Sequence, residues 1–323
     1  MREKDHMFSN SEYVYEVYKE RSFSKAARNL YISQPALSVT IKRIESRIGV
    51  PIFDRSTNPI GLTECGQKYI EVVKQMMDLQ DSFQNYLNNL EELKSGVINI
   101  GGSNLFTSCI LPPIITEFTR RYPAVDINVV EANTPLLDQK LMDGSLDLIM
   151  DNFVFDKETH TSCLYRNEHL MVAVPMDFPV NQKLQAYQIP AEDVVNGRFL
   201  DSSFPVVPFE SFDGLPFVLL KSGNGTRDRA LKLFEKYEMK PNVILQLDQQ
   251  MTSYNVSSSG LGISFVSDTL IQSLLDAPHV KLYKLDPALS SRELCFFYKK
   301  AKYVTRAMEE FLKIAMEKVK RFD

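Results

Sequence analysis

The sequence predicts an α/β chain in three parts: a small helical head ending in a hairpin, one long helix, and a larger body of alternating strands and helices. Three observations predict it. Apolar residues recur at helical spacing from Tyr13 to Ile48 and again, without a proline, from Glu64 to Leu93. Between these, Ile52 to Thr63 carries two short apolar stretches around a turn-rich Asn58-Pro59. From Val97 onward, β-rich runs alternate with helical patterns, as βαβ units require. With 323 residues, the chain is also longer than one ordinary compact domain. The expected boundaries are 1–63, 64–94 and 95–323.

In the head, Tyr13, Val14, Val17 and Tyr18 have helical spacing and Ser22 reads as a stop. Ser24 is expected to cap a helix holding Ala26, Ala27 and Leu30. Ser33 is expected to cap the next one, with Pro35 in its first turn, where a missing N–H does least harm. That helix should bury Leu37, Ile41, Ile44 and Ile48 and end at Gly49. Two helices joined through Tyr31 and Ile32, the second amphipathic, describe a helix-turn-helix. The opposite face of the second helix carries Gln34, Ser38, Val39, Lys42 and Arg43, suited to base edges and phosphates in a major groove. A small helical bundle whose polar face merely meets water has the same local pattern, so both readings stay open on geometry alone.

The hairpin after this helix sits where a wing would, with Arg55 at its base, placed for a phosphate or a minor groove. The long helix, whose good helix formers are interrupted only by Gly66 in the first turn, carries a stripe of Tyr69, Val72, Val73, Met76, Leu79, Phe83, Tyr86, Leu87, Leu90 and Leu93. A solitary helix of that length needs a partner for such a stripe, which predicts dimerisation. Ser95-Gly96 marks its end.

In the body, strands are expected at Val97–Gly101, Asp126–Glu131 and Leu146–Met150, with helices at Leu105–Tyr122 and Pro135–Asp143. A second set follows: strands at Leu170–Val174, Phe217–Leu220, Val243–Leu247 and Ile263–Val266, with helices at Thr226–Tyr237 and Gln250–Ser259. From Asp268 on, a helix, strands at Val280–Lys284 and Glu293–Tyr298 and a closing helix complete the chain. Such alternation predicts mostly parallel sheets covered on both faces. Val194 to Gly214, with Pro205 and Pro208, reads as a flap or a plain surface loop.

Composition limits the function. The chain is 44% hydrophobic and 24% charged, with a formal net charge of -4. Yet Lys19 to Arg55 holds eight Lys or Arg against three Asp or Glu, a basic head on an acidic body, as a DNA-binding part on a non-binding part would need. Cys65, Cys109, Cys163 and Cys295 lie far apart with no CxxC pair, which fits a reducing compartment and predicts no structural zinc. The polar start from Met1 to Asn10 lacks the apolar core of a signal peptide, and no run of about 18 apolar residues exists to span a membrane. A cytoplasmic protein is expected.

The motifs then carry a resemblance. Ser22-Phe23-Ser24-Lys25-Ala26-Ala27, Ile32-Ser33-Gln34-Pro35-Ala36-Leu37-Ser38, Ile44-Glu45, Gly49-Val50-Pro51-Ile52-Phe53 and Leu62-Thr63-Glu64-Cys65-Gly66 appear in the order and spacing of the LysR-type transcriptional regulators of bacteria. Phe118-Thr119-Arg120-Arg121-Tyr122-Pro123, Gly144-Ser145-Leu146-Asp147-Leu148 and Gly260-Leu261-Gly262-Ile263 extend it over nearly the whole chain. The resemblance implies a winged helix-turn-helix, a linker helix and a periplasmic-binding-protein-like effector domain of two Rossmann-like subdomains. It implies a sequence-specific transcription regulator that binds promoter DNA, answers to a small-molecule effector and assembles as a dimer or a dimer of dimers. Gln34, Pro35 and Ser38 would stand at the bases and Arg55 at the wing, with Ser24, Lys25, Val39, Lys42 and Arg43 completing the contact set. Val39 departs from the family, which often has a basic residue there; an Arg-to-guanine contact is lost, leaving a thymine methyl or solvent.

In doubly wound sheets, ligands collect beyond the carboxyl ends of strands, at helix N-termini. That rule selects Ser103, Asn104, Asn133, Thr134, Asp151 and Asn152 in one subdomain, and Ser222, Gly223, Asn224, Gly225, Thr226, Gln249, Gln250 and Ser267 in the other. These match the effector cleft of the resembling family. A neutral ring of helix N-termini favours a small carboxylate or another anion, whereas an inward Asp151 would favour an amine. Ordinary helix capping explains any one of these residues equally well. No Gly-Lys-Ser/Thr follows the glycines, so nucleotide hydrolysis has no support. Two rival classes exist. A solute-binding protein shares the two-lobed body but not the basic head. An enzyme would need convergent catalytic groups, but His6, His160, His169 and His279 are scattered and no GxSxG or HExxH occurs. No catalytic residue, metal or cofactor is expected.

Overall fold

The computed structural model describes residues 7–57, 59–90, 96–277, 279–300 and 302–319, without the side chains of 78, 81, 82 and 84–90. It divides into two units, Met1–Gln84 and Asn85–Asp323.

The first unit holds α1 (Ser11–Glu20), α2 (Phe23–Asn29), α3 (Gln34–Ile48), a hairpin of β1 (Phe53–Asp54) and β2 (Gly61–Leu62), and α4 (Glu64–Leu90) as far as Gln84. The Ser33 hydroxyl accepts from the Ala36 N–H at 3.3 Å, and Gly49 takes the left-handed φ of 86° that closes α3. Leu37, Ile41 and Ile44 are buried against Val14, Val17, Phe23, Ala26 and Ile52; Ile48 is only half-buried. The α2 cap is Ser22, not Ser24: the Ser22 side chain accepts from Lys25 N–H, while Ser24 lies exposed inside the helix. Burial of Phe23 at the first helical position draws the helix start back by two residues. The hairpin pairs Phe53 with Leu62 and Asp54 with Gly61. Along α4, Tyr69, Ile70 and Val73 join the head's core, whereas Val72, Met76, Leu79 and Phe83 are exposed. The Tyr86, Leu87 and Leu90 side chains, and Leu93 and Ser95, lie outside the described residues.

The second unit begins with β3 (Gly96–Gly102), α5 (Asn104–Cys109), α6 (Leu111–Arg121), β4 (Val125–Glu131), α7 (Thr134–Met142) and β5 (Leu148–Asp151). The single helix expected at Leu105–Tyr122 is broken at Ile110, because Pro112 and Pro113 donate no N–H and suit only the first turn of a new helix. Next comes β6 (His160–Pro175), then α8 (Val180–Lys183), β7 (Gln188–Ile189), α9 (Ala191–Val195), β8 (Pro216–Leu220), α10 (Gly225–Lys236), β9 (Asn242–Leu247), α11 (Gln250–Ser258), β10 (Ile263–Ser267) and α12 (Asp268–Leu274). The chain closes with β11 (Val280–Lys284), α13 (Pro287–Ser290), β12 (Ser291–Lys299) and α14 (Arg306–Val319).

Strand order is β4-β3-β5-β12-β6-β10-β8-β9, with β11 on β6 and β7 on β11. The pairs β3–β4, β3–β5, β8–β9 and β8–β10 are parallel as expected, but every pairing of β6, β7, β11 and β12 is antiparallel, so the sheets are mixed. The cause is β6. Residues 160–169 pair with β12 in the first subdomain, and residues 170–175 pair with β10 and β11 in the second. One strand carries the chain across and β12 brings it back, crossing at Ser291 opposite His169.

The segment Val194–Gly214 is more than a bare loop. Phe199, Val207, Phe209 and Phe212 are buried, and the Lys284 ammonium donates to the carbonyls of Leu200 (3.1 Å) and Asp201 (3.0 Å). The segment's buried residues join two hydrophobic clusters of the body, Val194 and Phe199 in one and Val207, Phe209 and Phe212 in the other.

Candidate functional site

The head presents one polar face. Gln34, Pro35, Lys42 and Arg43 are exposed along α3, Val39 is 57% exposed, and Ser38 is half-buried. Ser24 and Lys25 on α2 are exposed as well. No carboxylate pairs with Lys25, Lys42 or Arg43 among the described residues. Those cations therefore carry uncompensated charge toward whatever α3 meets. The opposite stripe of α3 is fastened down by more than its isoleucines. Glu45 accepts the backbone N–H groups of Ile52 (2.9 Å) and Phe53 (3.2 Å), and its other oxygen pairs with Arg55 at 3.1 Å. The Arg55 guanidinium also lies over the Phe23 ring, 5.2 Å from its centre. Glu45 thus ties the hairpin to α3, and Arg55, expected at the wing to meet a phosphate or a minor groove, is shared with that tie.

The second unit has a cleft between its subdomains. Ser103, Thr134 and Asp151 line it from the first, and Asn224, Thr226 and Gln249 from the second, all expected from the sequence, along with Asn152, Gly225 and Gln250. Leu105, Phe106, Leu220 and Arg292 complete the lining. As it stands the cleft encloses about 50 Å³, little more than room for water. Gln249 Nε2 donates across it to Glu131 at 3.4 Å.

Not every expected residue arrives there. Asn104 donates to Glu131 at 3.1 Å, and Asn133 caps α7 by accepting the Leu136 N–H. Ser222 and Gly223 form an exposed turn. Ser267 is fully buried; it caps α12 and donates to Gln250 Oε1 at 3.0 Å. These five do not line the cavity, and for Asn133 and Ser267 capping accounts for the side chain. Asp151 is buried at the cleft wall, but its oxygens accept Thr134 Oγ1 (2.8 Å) and the N–H groups of Asn152 and Phe153. Burial raises its pKa against those hydrogen bonds and the charge of Arg292.

Sequence reasoning missed the group beneath the cleft. Glu168 on β6 and Arg292 on β12 are paired in register, with side chains 0% and 2% exposed and Nε to Oε2 at 2.6 Å. Glu168 also accepts from Asn152 Nδ2 (3.0 Å) and Thr269 Oγ1 (2.7 Å), while Arg292 Nη1 donates to Thr226 Oγ1 at 3.2 Å. Arg166 donates in turn to Thr269. Burial opposes ionisation of Glu168, but Arg292, Thr269 and Arg166 outweigh it and hold its pKa below the usual carboxylate value. The network joins the Asn152 turn of one subdomain to the start of α10 in the other. The one hint in the sequence is charge inside strand-like runs, Arg166-Asn167-Glu168 and Arg292-Glu293, where water would normally be near.

No cluster of metal-ligating side chains occurs among the described residues, and none of their helices is long and apolar enough to cross a membrane. Residues 8–67 match the family described as bacterial regulatory helix-turn-helix protein, lysR family, and residues 91–320 match the LysR substrate binding domain. An uncharacterised HTH-type transcriptional regulator of Bacillus subtilis strain 168, YcgK, is 28% identical over 315 residues, which is 96% of this chain and 94% of that one. Full-length OxyR from Pseudomonas aeruginosa has a TM-score of 0.64 at 21% identity, covering 95% of this chain and 92% of its own. CbnR in complex with its target DNA has a TM-score of 0.59 at 16% identity, covering 98% and 99%. At such identities the two structures establish the fold alone.

Proposed function

The chain belongs to the LysR-type transcriptional regulators, a family of DNA-binding regulators with an effector-binding domain and not of enzymes, and from that premise we propose which of its residues read DNA and which hold the effector. The face of α3 bearing Gln34, Pro35, Ser38 and Val39 enters the major groove, with Lys42, Arg43, Ser24 and Lys25 on the phosphates and Arg55 at the hairpin. What carries this reading is the exposed, unpaired cationic face of α3 opposite a stripe of buried Leu37, Ile41 and Ile44. The domains run over 1–63, 64–94 and 95–323. The protein acts in the cytoplasm, and the exposed Val72, Met76, Leu79 and Phe83 of α4 are covered by a second copy, giving a dimer or a dimer of dimers.

The effector sits between Ser103, Thr134 and Asp151 on one side and Asn224, Thr226 and Gln249 on the other. The N–H groups at the starts of α5, α7, α10 and α11 favour a small carboxylate or another anion. Since the cleft encloses about 50 Å³, the effector enters an opened arrangement, and its different affinity for open and closed forms is what moves the DNA-binding heads of the assembly.

A gel shift over the gene's own upstream region tests the DNA assignment. Affinity should fall steeply with salt, by about one power of salt concentration per phosphate neutralised. Lys42→Ala should weaken all operators alike and lower that salt slope by roughly one. Gln34→Ala should instead change which operators are preferred, by about 1–3 kcal/mol at the bases it touches. Unaltered sequence preference in Gln34→Ala would mean that the reading face is wrongly assigned.

A further inference from the structure

Next to the effector cleft, and sharing Asn152 and Arg292 with it, lies a larger cavity of about 410 Å³, inside the range of ~300–1,000 Å³ typical of small-molecule sites. Part of its wall is aromatic. Phe155 packs edge-on against Phe297 with ring centres 4.8 Å apart, and Phe153 against Phe155 at 5.1 Å. Arg229 of α10 brings a cation from the second subdomain. Only its Nη1 is engaged, donating to the carbonyls of Leu289 and Ser291 at 3.1 Å each. Among the described residues no carboxylate pairs with it. Burial and the neighbouring Arg292 both disfavour its charge, with Glu168 offsetting part of that. Of the other ionisable side chains in the lining, Arg292 pairs with Glu168 and His160 hydrogen-bonds Asp138 at 2.9 Å, while Lys157 and Glu293, of opposite charge, are exposed and form no ion pair among the described residues.

A roomy cavity with an aromatic wall and one half-buried, unpaired guanidinium is built for an anion with an apolar body. We propose that it is a second ligand site, taking a small carboxylate with an aromatic ring: the carboxylate pairs with the open nitrogens of Arg229 and the ring packs on Phe155 and Phe297. Such a ligand bridges the subdomains, holding Arg229 on one and the phenylalanines on the other. It also shares Asn152 and Arg292 with the effector cleft, so its occupancy biases the same opening and closing.

The test is a fluorine-NMR titration of the full chain with 4-fluorobenzoate, with neutral 4-fluorobenzamide as the control. Saturable binding of the acid is expected, at least about tenfold tighter than the amide, the difference a charge-assisted pair contributes. Arg229→Gln should weaken the acid by a similar factor. Because Arg229 also holds two carbonyls, Ser162→Phe supplies an independent check: it adds bulk at an exposed lining position and should abolish binding without touching the core. No saturable binding at millimolar acid, or equal binding of acid and amide, overturns the proposal. So does a loss in Gln249→Ala as large as that in Arg229→Gln, which would put the probe in the effector cleft instead.

Discussion

Replacing Glu168 with alanine should destabilise the regulatory unit by about 3–5 kcal/mol, the cost of leaving a buried charge without its partner. The charge is Arg292, whose side chain is 2% exposed and whose Nε has Glu168 as its acceptor at 2.6 Å. Adding Arg292→Met should restore part of the loss, since it removes the lone ion and leaves only the cost of the cavity at position 168. Urea denaturation of the single and double variants measures both. An alanine variant as stable as the parent would show that water reaches Arg292 and that the pair does not bind the crossing strands together. The pH dependence follows from the direction of the Glu168 shift. A carboxylate whose folded pKa is lowered contributes stability that is present above its unfolded pKa and is lost as pH falls through the folded one. Melting temperature should therefore drop as pH is lowered through and below the ordinary carboxylate range, and Glu168→Gln should flatten that part of the drop.

Gly66→Ala should destabilise the head by about 2–3 kcal/mol, the scale of forced overpacking, although helix propensity by itself predicts a gain of about 1 kcal/mol for that change. A Cβ at Gly66 would stand 2.0 Å from the Ile52 carbonyl oxygen and 2.9 Å from its carbon. That carbonyl cannot swing aside, because it accepts the Thr63 N–H at 3.0 Å while the Thr63 hydroxyl donates to Pro51 O at 2.7 Å. The start of α4 rests directly on the backbone leading into the hairpin, so relief requires moving helix or hairpin. Operator affinity should fall with stability, since Glu45 fastens that same hairpin to α3. Guanidinium denaturation decides it: an alanine variant more stable than the parent would mean that the two backbones do not approach as closely as described.

Much of the head is legible residue by residue because its determinants are local. Ser33, Pro35 and Gly49 each act on backbone within a few positions, and the spacing of Leu37, Ile41 and Ile44 identifies the buried stripe without reference to anything distant. Where a distant contact intervenes, the local reading slips. Phe23 sinks into the core against Phe53 and moves the α2 cap from Ser24 to Ser22. Gly66 looks like a flaw in a good helix until Ile52 is seen beside it. In the body, strands such as Phe217–Leu220 announce themselves by continuous apolar character, but residues 160–169 do not. Arg166, Asn167 and Glu168 read as solvent-facing, and only partners about a hundred positions away on α12 and β12 make two of them at home in a strand interior.

The cleft between the subdomains divides along the same line. Strand ends and helix starts can be placed from sequence, and Ser103, Thr134, Asn224, Thr226 and Gln249 were found that way. Whether a given side chain at such an end turns into the cleft or back onto its own helix depends on rotamer and neighbours, which is why Asn133 and Ser267 cap and Asn104 reaches Glu131. The linear chain by itself determined the order of helical head, long helix and α/β body, the buried and polar sides of α3, and the kind of protein this is, because hydrophobic period, caps and motif order act over short separations. Only the tertiary structure decided that β6 and β12 serve both subdomains, that Glu168 and Arg292 meet beneath the cleft, and that Arg229 overlooks a second cavity. Those depend on charges brought together across more than sixty positions, and a pairing between distant residues leaves no period in a sequence for a reader to detect.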